Sequence, residues 1–343
     1  MARLPHTTHY PDSMRPSFTL ASALVAFVLV LVPCASARAA EPPATSTALP
    51  VLDDLRARAI VGAVDPAQLQ ATIRQLVSFG TRHTMSDTVS DTHGIGAARR
   101  WAAARFAAIS KDCGGCLEIV MPSQSFTGAR LPTATEVMDV IAIQRGTSDS
   151  TRVVLIAGHI DSRNSDGMDF THDAPGANDD ASGVAAAIES ARVLSKHKFR
   201  ATIVYAALSG EEQGLYGGRV LADYAKAQGW KVEADLNNDI VGNTFGEDGV
   251  HDSSTVRVFS EGTKAIETLA QGNIRRYRGG EIDSPSRNIA RFMATIAERD
   301  MAGFKVRMVY RTDRFGRGGD QVPMLEAGFP AVRVTESHEH YDR

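Results

Sequence analysis

The sequence has no basic excess: 37 Lys and Arg stand against 40 Asp and Glu, a formal net charge of −3. Composition therefore supplies no surplus cations to neutralise a run of phosphates, and nucleic acid is excluded as the expected partner. No Gly-x-Gly-x-x-Gly fingerprint and no Walker-type phosphate loop occurs, which argues against a nucleotide enzyme of either common kind. No Gly-x-Ser-x-Gly elbow is present, so an α/β-hydrolase serine nucleophile is not expected. Internal repeats, heptads and low-complexity tracts are absent too.

Cysteine is scarce, with three residues in 343. Cys113 and Cys116 form one CxxC, and no second CxxC exists to complete a zinc knuckle. In an oxidising compartment such a pair is expected to close a small structural disulfide. Cys34 belongs to a different feature. Phe18–Val32 is an apolar run of 15 residues, preceded by Arg15 and followed by the small residues Ala35–Ala40. This is the pattern of a secretory signal, and the run is short for a membrane span. Residues 1–39 are therefore expected to be a signal peptide, with Met14 as an alternative start and cleavage at Ala39/Ala40. Residues 40–65 read as a linker and 66–343 as one catalytic-sized domain. The expected location is secreted or periplasmic, without a stable membrane anchor.

What is there is an ordinary globular balance, 43% hydrophobic and 22% charged. Helical spacing predicts helices over 66–79, 94–110, 181–197, 213–228 and 285–299. Strands are predicted at 116–126, 135–145, 151–160, 201–209, 232–240, 255–260, 304–310 and 330–335. The run TRVVLIAGHI is nearly all apolar, as a strand buried on both faces must be. The alternation predicts an α/β three-layer sandwich around a mixed, mostly parallel sheet.

In such sheets ligands bind beyond the carboxyl ends of the strands. The segments there are GHIDS at 158–162, APGANDDASG at 174–183, SGEEQG at 209–214 and NND at 237–239. Taken singly, each has a bland reading. Asp179 or Asp180 would cap the following helix, and Glu211 with Glu212 would be a solvated pair at a helix start. Taken together, four acidic or His-bearing loops at four strand ends gather like charges, which is costly unless cations compensate. Imidazole nitrogen and carboxylate oxygen are standard zinc ligands. Two adjacent glutamates suit a division of labour, one on a metal and one taking a proton from water. Asp161, two residues past His159 on a strand, falls on the same face and is placed to orient the imidazole.

These four segments resemble the co-catalytic zinc aminopeptidases, the family that includes bacterial leucyl aminopeptidase and plasma glutamate carboxypeptidase, over about residues 75–343. The spacing agrees: 20 residues separate His159 from Asp179, 32 separate Asp179 from Glu211, and 27 separate Glu212 from Asp239. The resemblance implies a zinc-dependent exopeptidase with two Zn2+ ions, acting on the N-terminal residue of peptide substrates. It implies His159 and Asp239 on one zinc, Asp179 bridging, Glu212 on the other, Glu211 as general base, Asp161 behind His159, and a cis peptide before Asp180.

The family also supplies a fifth ligand, a His shortly after the last strand. Alignment through Gly319-Asp320, Gly328-Phe329-Pro330 and Glu336 places it a few residues beyond Tyr341, where this sequence stops at Arg343. Three expectations stay open: the chain is incomplete, His338 or His340 substitutes, or the second zinc site is weak. Gln321, where relatives often carry His, is not expected to be a ligand. Two other functions are carried as alternatives: a glutaminyl cyclase-like acyltransferase using one zinc, and a non-catalytic binding protein on a decayed peptidase scaffold.

Overall fold

A computed structural model describes residues 55–264, 266–280 and 282–340. The expected signal peptide lies outside the described residues. Among the described residues no helix is long and apolar enough to cross a membrane. The helices are α1 Leu55–Gly62, α2 Pro66–Val77, α3 Gly94–Asp112, α4 Ala181–Leu194, α5 Glu211–Gly214, α6 Tyr216–Ala227, α7 Leu269–Arg278, α8 Pro285–Asp300 and α9 Gln321–Glu326. The strands are β1 Glu118–Val120, β2 Ser123–Gly128, β3 Leu131–Met138, β4 Val140–Gln144, β5 Asp149–His159, β6 Ala201–Leu208, β7 Lys231–Asn238, β8 Thr255–Ser260, β9 Lys305–Val309 and β10 Ala331–Glu336.

Eight strands form one sheet in the order β1-β4-β6-β5-β7-β10-β8-β9. Its centre, β6-β5-β7-β10, is parallel. The β1-β4, β4-β6 and β10-β8 pairs are antiparallel, and β9 runs parallel to β8. The expected α/β sandwich with a mixed sheet is the observed fold. Period-two alternation builds both cores. Val140, Ala142, Tyr205 and Ala207 pack against α2, α3 and α4 on one face. Ile141, Ile143, Val204, Ala206 and Leu208 meet α6 and α9 on the other.

Several boundaries differ from the sequence reading. The two strands expected at 116–126 and 135–145 are four. Pro122 cannot donate to a ladder, so the chain leaves the main sheet there. The β2–β3 segments then pair as a separate two-stranded hairpin. Asp139 returns the chain to the sheet: its N–H donates to the Pro122 carbonyl, and its carboxylate accepts the Ser209 N–H at 2.9 Å. The helix expected at 213–228 begins at Glu211 and is broken at Leu215, which has φ +59°. The stretch expected as a linker, 40–65, carries α1, none of whose residues is buried. α7 and α9 were not anticipated. The expected Cys113–Cys116 disulfide is formed.

One buried side chain ties the segment before α4 to the rest. Arg82 is fully buried. Its guanidinium donates to the carbonyls of Leu76 at 3.1 Å, Ile160 at 2.7 Å, Pro175 at 2.6 Å and Gly176 at 2.9 Å. It thus joins the end of α2, the end of β5 and the loop leading to Asp179. Burial pushes its pKa down to about 10, against the pull of Asp161 and its neighbours, so it remains charged at neutral pH. Replacement by Met leaves those carbonyls unsatisfied, and Arg82→Met is expected to cost about 3–5 kcal/mol in urea unfolding. A loss below about 1 kcal/mol would show that water satisfies the four carbonyls.

Candidate metal centre

The site sits where strands end. His159 is the last residue of β5, Glu211 opens α5 just after β6, and Asp239 follows β7. Asp179 lies in the loop entering α4. Close backbone approach makes this possible. A Cβ on Gly158 would lie 2.4 Å from the Gly183 carbonyl carbon, and one on Gly183 would lie 2.2 Å from the Asn238 carbonyl oxygen. Glycine at both positions lets α4 press its first turn onto the ends of β5 and β7.

Asp180 locks that junction. One carboxylate oxygen accepts the His159 N–H at 3.0 Å; the other accepts those of Gly183 at 2.8 Å and Ile240 at 3.2 Å. The capping reading offered for Asp179 or Asp180 therefore belongs to Asp180. The Asp179–Asp180 peptide is cis. Asp179, freed from capping, points its side chain at His159.

His159, Asp179 and Asp239 each bring a ligand atom to one point, all within 4.8 Å of one another. His159 Nε2 is 3.0 Å from Asp179 Oδ1 and 3.9 Å from Asp239 Oδ1. Nε2 is buried and makes no properly directed hydrogen bond. Nδ1 lies 3.1 Å from the Asp161 main-chain carbonyl, which can only accept, so Nδ1 donates there and Nε2 is the ring nitrogen left facing the carboxylates. A buried imidazole nitrogen facing two carboxylates is a donor set that fits a divalent cation once its proton is lost.

The ring is thus oriented differently from the sequence expectation. Asp161 does sit behind His159, but through its carbonyl; its carboxylate is 3.6 Å from Nδ1. That carboxylate instead accepts the N–H groups of Glu211 at 3.2 Å and Glu212 at 3.1 Å. Asp161 therefore organises the Glu-Glu turn as much as the imidazole. Glu212 stands apart from the trio. Its carboxylate takes Arg163 Nε at 2.6 Å. Neither His338 nor His340 joins the trio among the described residues. His338 pairs with Asp248 at 2.7 Å, and His340 Nδ1 is buried without a hydrogen-bond partner among the described residues. Gln321 is fully buried and donates to Asp313.

Arginines that sequence reasoning did not single out complete the site. Arg333 is fully buried and reaches Asp239 Oδ1 at 3.1 Å and Asp313 Oδ1 at 2.9 Å. Arg163 and Arg130 both meet Glu212, the latter at its carbonyl, 2.7 Å away. Their partners come from other loops, so no local pattern marks them.

The carboxylates titrate as a crowd. Burial raises Glu211 well above the usual range; His159 opposes this, and Glu212, Asp239 and Asp320 add to it. Burial, reinforced by Asp179, pushes Glu212 up to about 7. Burial also takes Asp320 to about 7, against His159. For His159, burial disfavours the cation, but Glu211 and the Asp161 and Asp179 carboxylates outweigh it and raise the pKa.

The sign of the pH dependence follows. Unfolded, Glu212 and Asp320 lose their protons near 4.5 and 3.8; folded, both keep them to about 7. The folded state thus binds more protons across this window, and stability falls as pH rises. The raised His159 acts in the same sense, and the lowered Asp161 and Asp179 contribute change only at more acid pH. Metal-free protein is therefore expected to unfold at lower urea at pH 8 than at pH 5. An added divalent cation should raise the midpoint more at pH 8, because its ligands must be deprotonated. An equal or higher metal-free midpoint at pH 8 would contradict this charge balance.

Comparison with known proteins agrees with the geometry. A probable zinc metalloprotease of Leptosphaeria maculans is 46% identical over 286 residues, covering 83% of this chain and 66% of that protein. The chain thus spans slightly under two thirds of that relative's length. Three solved structures share the fold. LapB of Legionella pneumophila has a TM-score of 0.60 at 19% identity, covering 83% of this chain and 65% of that one. An aminopeptidase from Aneurinibacillus sp. strain AM-1 scores 0.57 at 14% identity, covering 82% and 89%. A glutaminyl cyclase of Bacteroides thetaiotaomicron scores 0.55 at 16% identity, covering 79% and 84%. The Peptidase family M28 profile matches residues 139–343, more than half of the sequence and all four of the segments at the strand ends. The chain belongs to Peptidase family M28.

Proposed function

We propose that the chain is a zinc-dependent exopeptidase that removes the N-terminal residue of peptides. The observation that carries this reading is the convergence of His159, Asp179 and Asp239, with His159 Nε2 buried and facing both carboxylates. A zinc ion held by these three would polarise the scissile carbonyl and lower the pKa of an attacking water. His159 would hold it through Nε2, its ring fixed by the Asp161 carbonyl. Asp239 would share its charge with Arg333, and Asp179 would offer its second oxygen to a second ion near Glu212.

Glu211 is the proposed general base. It opens α5 beside Glu212 and lines the same cleft as Asp179 and Asp239. Among the described residues its carboxylate makes no hydrogen bond, and burial raises its pKa above the usual carboxylate range, the direction that suits a general base. It would take the proton of the attacking water and deliver it to the departing amine. Asp161 aligns it by accepting its main-chain N–H. Glu212 is the proposed ligand of the second ion, and Arg163 holds that carboxylate in place.

The aminopeptidase and the glutaminyl cyclase score nearly alike, so fold alone does not choose between hydrolysis and cyclisation. The relatives' description as zinc metalloproteases supports hydrolysis. Glu211→Gln is expected to keep its zinc and lose about 10²–10⁴-fold in peptide turnover. Glu212→Gln should lose one equivalent of zinc as well. Metal content by atomic absorption, read beside release of free N-terminal amino acid, separates the two. Undiminished turnover in Glu211→Gln would remove the base assignment; cyclisation of N-terminal glutamine without peptide hydrolysis would favour the acyltransferase.

A further inference from the structure

We propose that Arg130, with Arg317 of the same cleft, binds a carboxylate of the substrate, so that the enzyme selects peptides presenting one beside the scissile bond. This rests on the peptidase reading above and names its substrate class. The cleft over the trio has a volume of about 440 Å³ and is lined by four carboxylates, Asp179, Glu211, Glu212 and Asp239, and four arginines, Arg130, Arg163, Arg314 and Arg317. The remaining lining residues bring no charge.

The arginines are not equivalent. Arg163 is paired with the Glu212 carboxylate at 2.6 Å. Arg314 is paired with Asp313 at 3.3 Å and with Glu339 at 2.8 Å. Arg130, at the tip of the β2–β3 hairpin, is fixed differently. Its Nη1 donates to the main-chain carbonyl of Glu212 at 2.7 Å, a neutral acceptor. The guanidinium is thereby held at the wall of the cleft without an ion pair among the described residues. Nε and Nη2, the edge that takes a carboxylate side-on, make no hydrogen bond among the described residues. Arg317, in the loop before α9, lines the same cleft, exposed, its side chain without an acidic partner among the described residues.

Charge counting points the same way. The lining has four residues of each sign, one of them, Arg314, spent on Asp313 and Glu339, and each divalent cation held by the carboxylates would add two positive charges. The loaded cleft is thus net positive, with two guanidiniums unspent, and favours an anionic substrate group. In a peptide that group is either the C-terminal α-carboxylate of a short chain or an acidic side chain next to the scissile bond. Both offer the same planar acceptor.

The test uses matched peptides. Leu-Ala is compared with Leu-Ala amide, and Leu-Asp amide with Leu-Asn amide, by kcat/KM in the zinc-loaded enzyme and in Arg130→Gln and Arg317→Gln. The same four ligands are titrated calorimetrically into zinc-loaded Glu211→Gln, with and without Arg130→Gln, so that binding is read without turnover. The wild type is expected to favour the carboxylate member of one pair by about 10–100-fold. The first pair identifies the α-carboxylate, the second the side chain. In Arg130→Gln that ratio should fall to near one, and in Arg317→Gln it should fall in part. Discrimination in neither pair, an undiminished ratio in Arg130→Gln, or equal loss on both members of a pair would overturn the proposal. If nothing is cleaved while calorimetry shows Arg130-dependent binding of the carboxylate ligand, the peptidase reading fails and the carboxylate site stands.

Discussion

Everything at this site depends on the Asp180 carboxylate. It accepts main-chain N–H groups from the end of β5, the start of α4 and the turn after β7. Those three places supply or adjoin His159, Asp179 and Asp239. A fully buried carboxylate is costly unless its oxygens are filled, and here they are filled by the backbone segments that must meet. The glycines at 158 and 183 permit the approach, and Arg82 ties the preceding loop to β5 and α2. The scaffold therefore brings these residues together through main-chain bonds. The side chains of His159, Asp179 and Asp239 are left to face one another, as the proposed metal site requires.

The second constraint is electrostatic. Carboxylates crowded at the carboxyl edge of a sheet repel one another, and burial sharpens the repulsion. Arg333 against Asp239 and Arg163 against Glu212 relieve part of it. The raised pKa values of Glu211, Glu212 and Asp239 record the part that remains. A cation held by His159, Asp179 and Asp239, as proposed, would compensate that part, and family membership accords with it. The same balance explains why Arg130, bound to a neutral carbonyl, is spare for a ligand.

Much of this was legible in the sequence. Buried parallel strands announce themselves as apolar runs, so β5 and β6 were found within two residues, and the loops after them followed from topology. His159, Asp179, Asp239 and Glu211 were placed because short motifs sit at those loops. The hairpin was missed because Pro122 and Asp139 change the chain's partner without changing its apolar pattern. The imidazole's carbonyl partner was missed because two main-chain N–H groups donate to the Asp161 carboxylate and compete for it, and they lie about fifty residues away. Arg130, Arg163 and Arg333 were not singled out for the same reason: an ion pair across loops has no local period. The expectation of His338 or His340 as a substitute ligand rested on chain position alone, and their side chains lie with Asp248 or apart from the trio.

The central claim is that His159, Asp179 and Asp239 hold a metal ion. Anomalous diffraction above the zinc edge, from crystals of zinc-loaded protein, measures this directly. The account predicts a strong peak about 2.0–2.2 Å from His159 Nε2 and from one oxygen each of Asp179 and Asp239. No zinc peak within reach of His159 Nε2 would contradict it.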